Sequence, residues 1–126
     1  MHELPMTKSI FRSVVTKAES VGATGVNRVV LEIGILRDFI PEIVQKYWDF
    51  IAPGSIAQGA CIEIIELDAE AICGRCSTAY TITKAHLMDA HCPHCGYEYG
   101  TMIRGNELRI KGIEIVRESN PEYPKE

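Results

Sequence analysis

Residues 73–95, CGRCSTAYTITKAHLMDAHCPHC, carry two Cys-x-x-Cys pairs with fifteen residues between them. Two residues between a pair of cysteines allow a tight turn that directs both sulfurs towards one point. Two such turns supply four thiolates to a tetrahedral ion at about 2.3 Å. The spacing therefore predicts a single metal site formed by Cys73, Cys76, Cys92 and Cys95. Thiolates in a closed tetrahedral site favour zinc, although iron in a rubredoxin-like site uses the same geometry.

Three histidines and two glycines lie in or next to this segment. His86, His91 and His94 could each replace a thiolate, bind a second metal or remain in solvent. We expect Gly74 and Gly96 to adopt the unusual backbone angles that such turns require. A zinc site of this kind contributes of order 10 kcal/mol of apparent binding free energy, which suits a segment too short to have a large core.

On either side of this segment the pattern is that of β-strands. ACIEIIELDAE at 60–70 and ELRIKGIEIV at 107–116 alternate apolar and polar residues over much of their length. We expect Cys61, in the first of these strands, to be a buried small hydrophobic residue. Residues 71–106 are therefore predicted to be a zinc-ribbon-like module inserted between two strands of one sheet.

The first half of the chain predicts two helices and a strand. Apolar residues recur every three or four positions from Pro5 to about Val21, which indicates an amphipathic helix. The β-branched stretch 26–36 predicts a strand, and a second helix is predicted from Pro41 to the APGS stretch at 52–55. The fold class is therefore α+β, a small mixed sheet with two helices in a domain of residues 1–70 and 107–118. We expect the polar tail, 119–126, to be loosely ordered.

Composition limits the kinds of function. The 126 residues are 46% hydrophobic, enough for one domain with a small insertion. A net charge of −4 without a basic stripe argues against nucleic acid as a partner. The chain shows no apolar run of roughly 20 residues and no signal-peptide pattern, so we expect a cytoplasmic protein that is not membrane-bound. No nucleophile with an adjacent base and no glycine-rich phosphate loop is apparent, so we do not expect an enzyme.

The first three residues, MHE, bring metal-binding groups together at the chain terminus. The amine of Met1, the amide nitrogen of His2 and its imidazole can close fused chelate rings around a metal that displaces the amide proton. Nickel(II) and copper(II) can do this, and they prefer the resulting square-planar nitrogens. Glu3 could supply a further ligand or hydrogen-bond the imidazole. The alternative is a solvated chain end. We expect His2 and Glu3 to precede the first helix and to bury little surface.

Taken together, these features resemble the HypA/HybF family of nickel-insertion proteins in [NiFe]-hydrogenase maturation. The resemblance rests on MHE, the amphipathic helix, VVLEIGIL at 29–36, GSIAQGACIEI at 54–64, the four-cysteine segment and LRIKGIEIV at 108–116. It implies a nickel metallochaperone in which Met1, His2 and Glu3 bind nickel and the four cysteines hold structural zinc. It also implies two partners, the GTPase HypB and the precursor of the hydrogenase large subunit.

Two other functions remain compatible with the cysteine spacing alone. A zinc-ribbon interaction module would contact nucleic acid or the ribosome, and its amino terminus would have no role. A rubredoxin-like redox protein would hold iron. The sequence leaves open whether the chain is a monomer or a homodimer, and whether urease is served as well as hydrogenase.

Overall fold

A computed structural model describes residues 3–117 and has an α+β fold, as predicted. The two helices are α1, Glu3–Ser20, and α2, Pro41–Ile51. The strands are β1, Gly25–Gly34; β2, Cys61–Leu67; β3, Ala69–Cys73; β4, Ala79–Ile82; β5, Gly100–Arg104; and β6, Leu108–Val116. A 3-10 turn covers Lys84–His86. None of the described helices combines the length and the apolar character needed to cross a bilayer.

Helix α1 is amphipathic, and its predicted apolar face is the buried one. Ile10, Val14 and Ala18 recur every four residues and are buried. The helix begins at Glu3 rather than at Pro5, so the prediction that Glu3 precedes it is wrong. Pro5 still lies near the first turn, where proline is tolerated because the backbone N–H groups there have no partner within the helix.

Helix α2 has the predicted bounds. Pro41 occupies the first turn, and Ile40 before it is extended, with φ −121° and ψ 114°. Val44 and Trp48 are buried on one face. The Trp48 indole Nε1–H donates to the Ala57 carbonyl oxygen at 3.1 Å, which satisfies its buried polar atom. The ring also meets Phe11 of α1 edge-on, with centroids 5.4 Å apart.

One sheet has the strand order β2-β1-β6. Gly34 N–H donates to the Glu107 carbonyl and Thr24 N–H to the Val116 carbonyl, so β6 runs antiparallel to β1. On the other side of β1, the Val26 N–H donates to the Ile56 carbonyl oxygen and the Ile35 N–H to the Leu67 carbonyl oxygen. The residue numbers of donor and acceptor increase together, which indicates that β2 runs parallel to β1. The sheet is therefore mixed, with α2 in the connection between its parallel strands, as βαβ units require.

A second sheet has the order β4-β3-β5, and both pairings are antiparallel. Ala69, Ala71 and Cys73 project from the buried face of β3. Across from them on β4, Ala71 pairs with Tyr80 and Ala69 with Ile82. A small cluster covers this face: Ile35, Cys92 and, partly buried, Leu36, Leu87, Ala90 and Tyr97.

Gly34 and Gly105 approach each other at the end of β1. A Cβ atom at Gly34 would lie 2.0 Å from the Gly105 carbonyl oxygen. Gly105 has a φ of +128°, which disfavours any other residue. The Leu36 N–H donates to the same carbonyl at 2.8 Å. Only glycine at position 34 permits this backbone contact.

The described chain divides into two compact units. The first comprises residues 3–31, 39–63 and 110–117, and the second comprises 32–38 and 64–109. Each strand of the mixed sheet contributes residues to both units. The proposed module, 71–106, lies within the second unit, and its limits remain a prediction. The proposed tail, 119–126, lies outside the described residues.

Candidate metal centre

The four predicted cysteines meet at one point. Their Sγ atoms all lie within 4.8 Å of one another. Cys73 and Cys95 are 3.5 Å apart at sulfur, and Cys76 and Cys92 are 3.6 Å apart. A tetrahedral ion with metal–sulfur bonds of about 2.3 Å separates its ligands by about 3.8 Å. The donor set and its spacing therefore fit a tetrahedral thiolate site with little movement.

The first cysteine turn follows β3 directly. Arg75 and Cys76 donate their backbone N–H groups to Cys73 Sγ at 3.3 and 3.4 Å. Ser77 closes the turn with an N–H bond to the Cys73 carbonyl at 3.1 Å. These donors stabilise a thiolate at Cys73, and the Cys76 N–H is the main cause of the lowered pKa of Cys73.

The second turn repeats this construction. His94 donates its backbone N–H to Cys92 Sγ at 3.4 Å, and Gly96 donates to the Cys92 carbonyl at 2.8 Å. The Cys92 N–H donates in turn to the Tyr97 carbonyl at 2.9 Å. These backbone bonds stabilise the turn, and Cys92 within it is buried.

Positive φ angles occur at equivalent places in the two turns, just after the second cysteine. Gly96 has φ +81°, as expected, whereas in the first turn it is Ser77, with φ +64°, and not Gly74. Gly74 instead packs closely against the backbone, since a Cβ there would lie 3.1 Å from the Tyr99 carbonyl oxygen. The prediction for Gly74 is therefore wrong in its cause.

The thiols differ in acidity. The hydroxyl and N–H of Thr78 lower the pKa of Cys76 to about 6. The Tyr97 N–H favours the thiolate of Cys95, but burial and the neighbouring thiols together raise the pKa of Cys95 to about 11. Metal binding requires the thiols to lose their protons, so the affinity of this site for a metal falls on acidification.

Two residues beside the cysteines were missed from the sequence. Thr78 Oγ1 lies 3.2 Å from Cys76 Sγ. Tyr80 is buried on β4, and both its burial and the charges of the nearby thiolates raise its pKa. The sequence marks Thr78 only as a hydroxyl residue two positions after Cys76, and this pattern is too common to predict a role at the site.

The three histidines lie apart from the sulfurs. The His86 imidazole is largely exposed, with its Nδ1 3.5 Å from the Asp89 carboxylate. His91 Nδ1 is 3.1 Å from the Asp89 carbonyl oxygen. His94 contributes its backbone N–H to the turn. Among the described residues, the metal-competent group contains the four cysteines and no histidine.

Cys61 is exposed, so the prediction that it is a buried hydrophobic residue is wrong. It begins β2, at whose start Cys61 and Glu63 are exposed and Ile62 and Ile64 are half-buried. Strand alternation therefore places Cys61 on the same side as a glutamate.

At the chain terminus, Met1 and His2 lie outside the described residues, and Glu3 is in the first turn of α1. Glu3 is 4% exposed, which corrects the prediction that it buries little surface. Its Oε2 accepts the Ile40 N–H at 2.9 Å. Ile40 is the residue that caps α2, so the carboxylate connects the start of α1 to the start of α2.

Replacing Glu3 with alanine is expected to lower the free energy of unfolding by about 1–3 kcal/mol, because the partly buried Ile40 N–H loses its acceptor. Glu3→Gln is the matched control, since its amide oxygen can still accept this bond. Chemical denaturation of the zinc-loaded proteins measures the difference. If Glu3→Ala is as stable as the parent, the bond to Ile40 contributes nothing to folding.

Comparisons with known proteins agree with this architecture. The family model described as "Hydrogenase/urease nickel incorporation, metallochaperone, hypA" matches residues 1–115. The hydrogenase maturation factor HypA of Acidithiobacillus ferrooxidans is 34% identical over 115 residues, 91% of this chain and 99% of that protein. The factor of the same name from Dechloromonas aromatica is 35% identical over 115 residues, with the same shares covered.

Among solved structures, the solution structure of the Ni metallochaperone HypA from Helicobacter pylori aligns with a TM-score of 0.63. The alignment covers 94% of this chain and 100% of that one at 22% identity, so it shows a shared fold. The family consists of metallochaperones, which are maturation factors rather than enzymes, as the sequence led us to expect. The family match over 1–115 and the identity above 30% over nearly the whole of the curated relatives show that this chain belongs to the HypA family of hydrogenase/urease nickel-incorporation metallochaperones.

Proposed function

We propose that this protein binds Ni(II) at its amino terminus and delivers it to the precursor of the [NiFe]-hydrogenase large subunit. The observation that carries the proposal is the extent of the family match, which begins at residue 1 and so includes Met1, His2 and Glu3. The names of the curated relatives, hydrogenase maturation factors, support the destination.

The ligand chemistry favours nickel as cargo. The Met1 amine, the His2 amide nitrogen and the His2 imidazole offer a square-planar set of nitrogens, which Ni(II) prefers. The positive end of the α1 dipole would repel a cation, and the Glu3 carboxylate in the first turn offsets that charge. Protonation of the imidazole provides a route of release, which a carrier requires.

Glu3 serves this site chiefly as a support. Its Oε2 is already engaged by the Ile40 N–H, and its side chain is buried. The bond fixes the residue that directly follows His2 to the beginning of α2. Glu3 would therefore position the chain end, either as a further ligand or by hydrogen bonding to the imidazole.

We infer that Cys73, Cys76, Cys92 and Cys95 hold a resident zinc ion. The sulfur spacing fits a tetrahedral ion, and a closed four-thiolate site favours zinc over harder metals. The ion would connect the end of β3 to the turn before β5, and so stabilise a unit whose hydrophobic cluster is small. The amino-terminal site would release its nickel to a recipient, whereas the cysteine site would retain its zinc.

Two partners complete the proposal, the GTPase HypB and the large-subunit precursor, with cytoplasmic location as the setting. Both are what the resemblance to the family implies, and the nickel incorporation named in the family's description supports a recipient of the metal. The small number of ligands at the amino terminus suits transfer by ligand exchange with such a recipient.

Metal analysis of the untagged protein tests the proposal. We expect about one zinc per chain after purification, because four thiolates outcompete ordinary buffers. After Ni(II) is added and excess is removed, about one nickel per chain should be present with the zinc unchanged. If nickel replaces zinc instead of adding to it, the thiolates are the only metal site. A red protein would indicate iron.

A further inference from the structure

The four cysteines differ in their access to solvent. Cys73 and Cys92 are buried and Cys76 is half-buried, whereas Cys95 is exposed. With a metal bound, all four sulfurs are thiolates, because metal ligands of this kind must lose their protons. Access and hydrogen bonding, rather than protonation, then determine which sulfur reacts first. Access alone favours Cys95 for a reagent that arrives from solvent.

Hydrogen bonding increases the difference between Cys76 and Cys95, the second cysteines of the two turns. The Thr78 hydroxyl lies 3.2 Å from Cys76 Sγ and can donate to its thiolate, as the Thr78 N–H does. Tyr97 occupies the equivalent place after Cys95, and its N–H donates to that sulfur. The Tyr97 ring instead lies under the Arg75 guanidinium, which is 4.5 Å from the ring centroid. Because donated hydrogen bonds stabilise charge on sulfur, the Thr78 hydroxyl protects Cys76 in a way that Tyr97 does not protect Cys95.

A second sulfur lies beside the exposed one. Cys73 Sγ is 3.5 Å from Cys95 Sγ, and the other close pair, Cys76 and Cys92, is 3.6 Å apart. Cys73 is buried at the end of β3, so a reagent in solvent reaches it less readily than it reaches Cys95. An oxidised sulfur at Cys95 would therefore have an unreacted thiolate within reach, which is the arrangement of a reactive cysteine and its resolving partner.

We propose that Cys95 is an oxidation site for hydrogen peroxide, that Cys73 resolves the oxidised form, and that Thr78 protects Cys76 from the same reaction. The Cys95 thiolate attacks one peroxide oxygen, the O–O bond breaks and hydroxide leaves, which gives a sulfenic acid at Cys95. The Cys73 thiolate then attacks this sulfur and displaces a second hydroxide, which forms a Cys73–Cys95 disulfide. The two thiolates lose two electrons in total, and these reduce one peroxide to two hydroxide ions.

This proposal rests on the resident zinc ion proposed above. A disulfide sulfur carries no negative charge, so oxidation removes two of the four thiolate ligands. The apolar cluster under β3 is small and cannot replace the lost metal binding. Oxidation of Cys95 therefore releases the zinc ion, and reduction of the disulfide by a dithiol restores the ligands.

Hydrogen peroxide applied to the zinc-loaded full chain tests the site. The chain carries Cys61→Ser, which removes an exposed thiol outside the four-sulfur group. Dimedone labels sulfenic acids, and peptide mass spectrometry then locates the label, which we expect at Cys95. Without dimedone, a Cys73–Cys95 disulfide should form together with release of about one zinc per chain, which a chromogenic chelator measures. Dithiothreitol and added zinc should restore the original zinc content.

Thr78→Val tests the protection of Cys76 in the same Cys61→Ser chain. Valine keeps the shape and the backbone N–H of Thr78 but removes its hydroxyl, so dimedone labelling of Cys76 should rise about tenfold, the effect of losing one hydrogen bond to a charged group. Thr81→Val, at an exposed position of β4, is the matched control and should leave the labelling unchanged. If Thr78→Val labels Cys76 no more than the control does, the protective role of Thr78 is excluded.

Three results would overturn the oxidation site itself: a first label on a cysteine other than Cys95, a disulfide that does not include Cys73, or zinc that remains bound after the disulfide has formed. Metal analysis before oxidation separates these failures from a failure of the proposed zinc site. A preparation that contains no zinc overturns both proposals, whereas a zinc-loaded chain that gives one of the three results overturns only the oxidation site.

Discussion

Replacing His2 with alanine is expected to weaken Ni(II) binding more than about 100-fold, beyond the 10- to 100-fold that losses outside the ligand shell typically cause. The imidazole closes one of the fused chelate rings, and without it the amide nitrogen has no second ring to stabilise its deprotonated form. Calorimetric titration with Ni(II) measures the affinity, and absorbance reports the yellow square-planar species.

A second change should have the same effect by a different route. A few extra residues before Met1 leave every side chain in place but convert the terminal amine to an amide. If the amine is a ligand, this extension should weaken Ni(II) binding as severely as His2→Ala does. Zinc content should not change in either protein, because both changes lie outside the cysteine site.

Glu3→Ala distinguishes a structural role of Glu3 from a role as a nickel ligand. Its nickel affinity should fall less than that of His2→Ala, within about 10- to 100-fold, while its stability falls because Glu3 is buried. If His2→Ala binds nickel as tightly as the parent, the amino-terminal site is only a solvated chain end. The exposed imidazoles of His86, His91 and His94 would then be the next candidates.

Replacing both Cys73 and Cys76 with serine is expected to release the zinc ion and unfold the segment around the cysteines. Apparent zinc binding of order 10 kcal/mol exceeds what the small cluster under β3 can replace. Residues 71–106 should become sensitive to protease, while the core around Val14, Leu31 and Trp48 stays folded. Zinc analysis with limited proteolysis and mass spectrometry measures both effects.

Cys61→Ser provides the matched control for this pair. Cys61 is exposed on β2 and does not belong to the four-sulfur group, so its replacement should leave zinc content and protease resistance unchanged. If the Cys73 and Cys76 double variant retains its zinc, the ligand assignment is wrong.

Local pattern predicted those elements whose signals are near in sequence. Pro41 and the APGS stretch delimit α2, and the two-residue spacing of the cysteines brings their sulfurs together. The burial of Glu3 was not predictable, because its partner, the Ile40 N–H, is 37 positions away and no side-chain pattern marks a backbone donor. The prediction that Cys61 is buried was wrong for another reason. Alternation along a strand shows that successive side chains lie on opposite faces, but it does not show which face packs against the core.

The contact between Gly34 and Gly105 restricts how this chain can change over evolutionary time. Because a Cβ at position 34 would lie 2.0 Å from a backbone oxygen, the obstacle is main chain and no nearby rotamer change can relieve it. At position 105 the positive φ imposes a second and independent penalty. A substitution at either place requires the backbone itself to move, so ordinary sequence drift, one residue at a time, meets a barrier at this crossing.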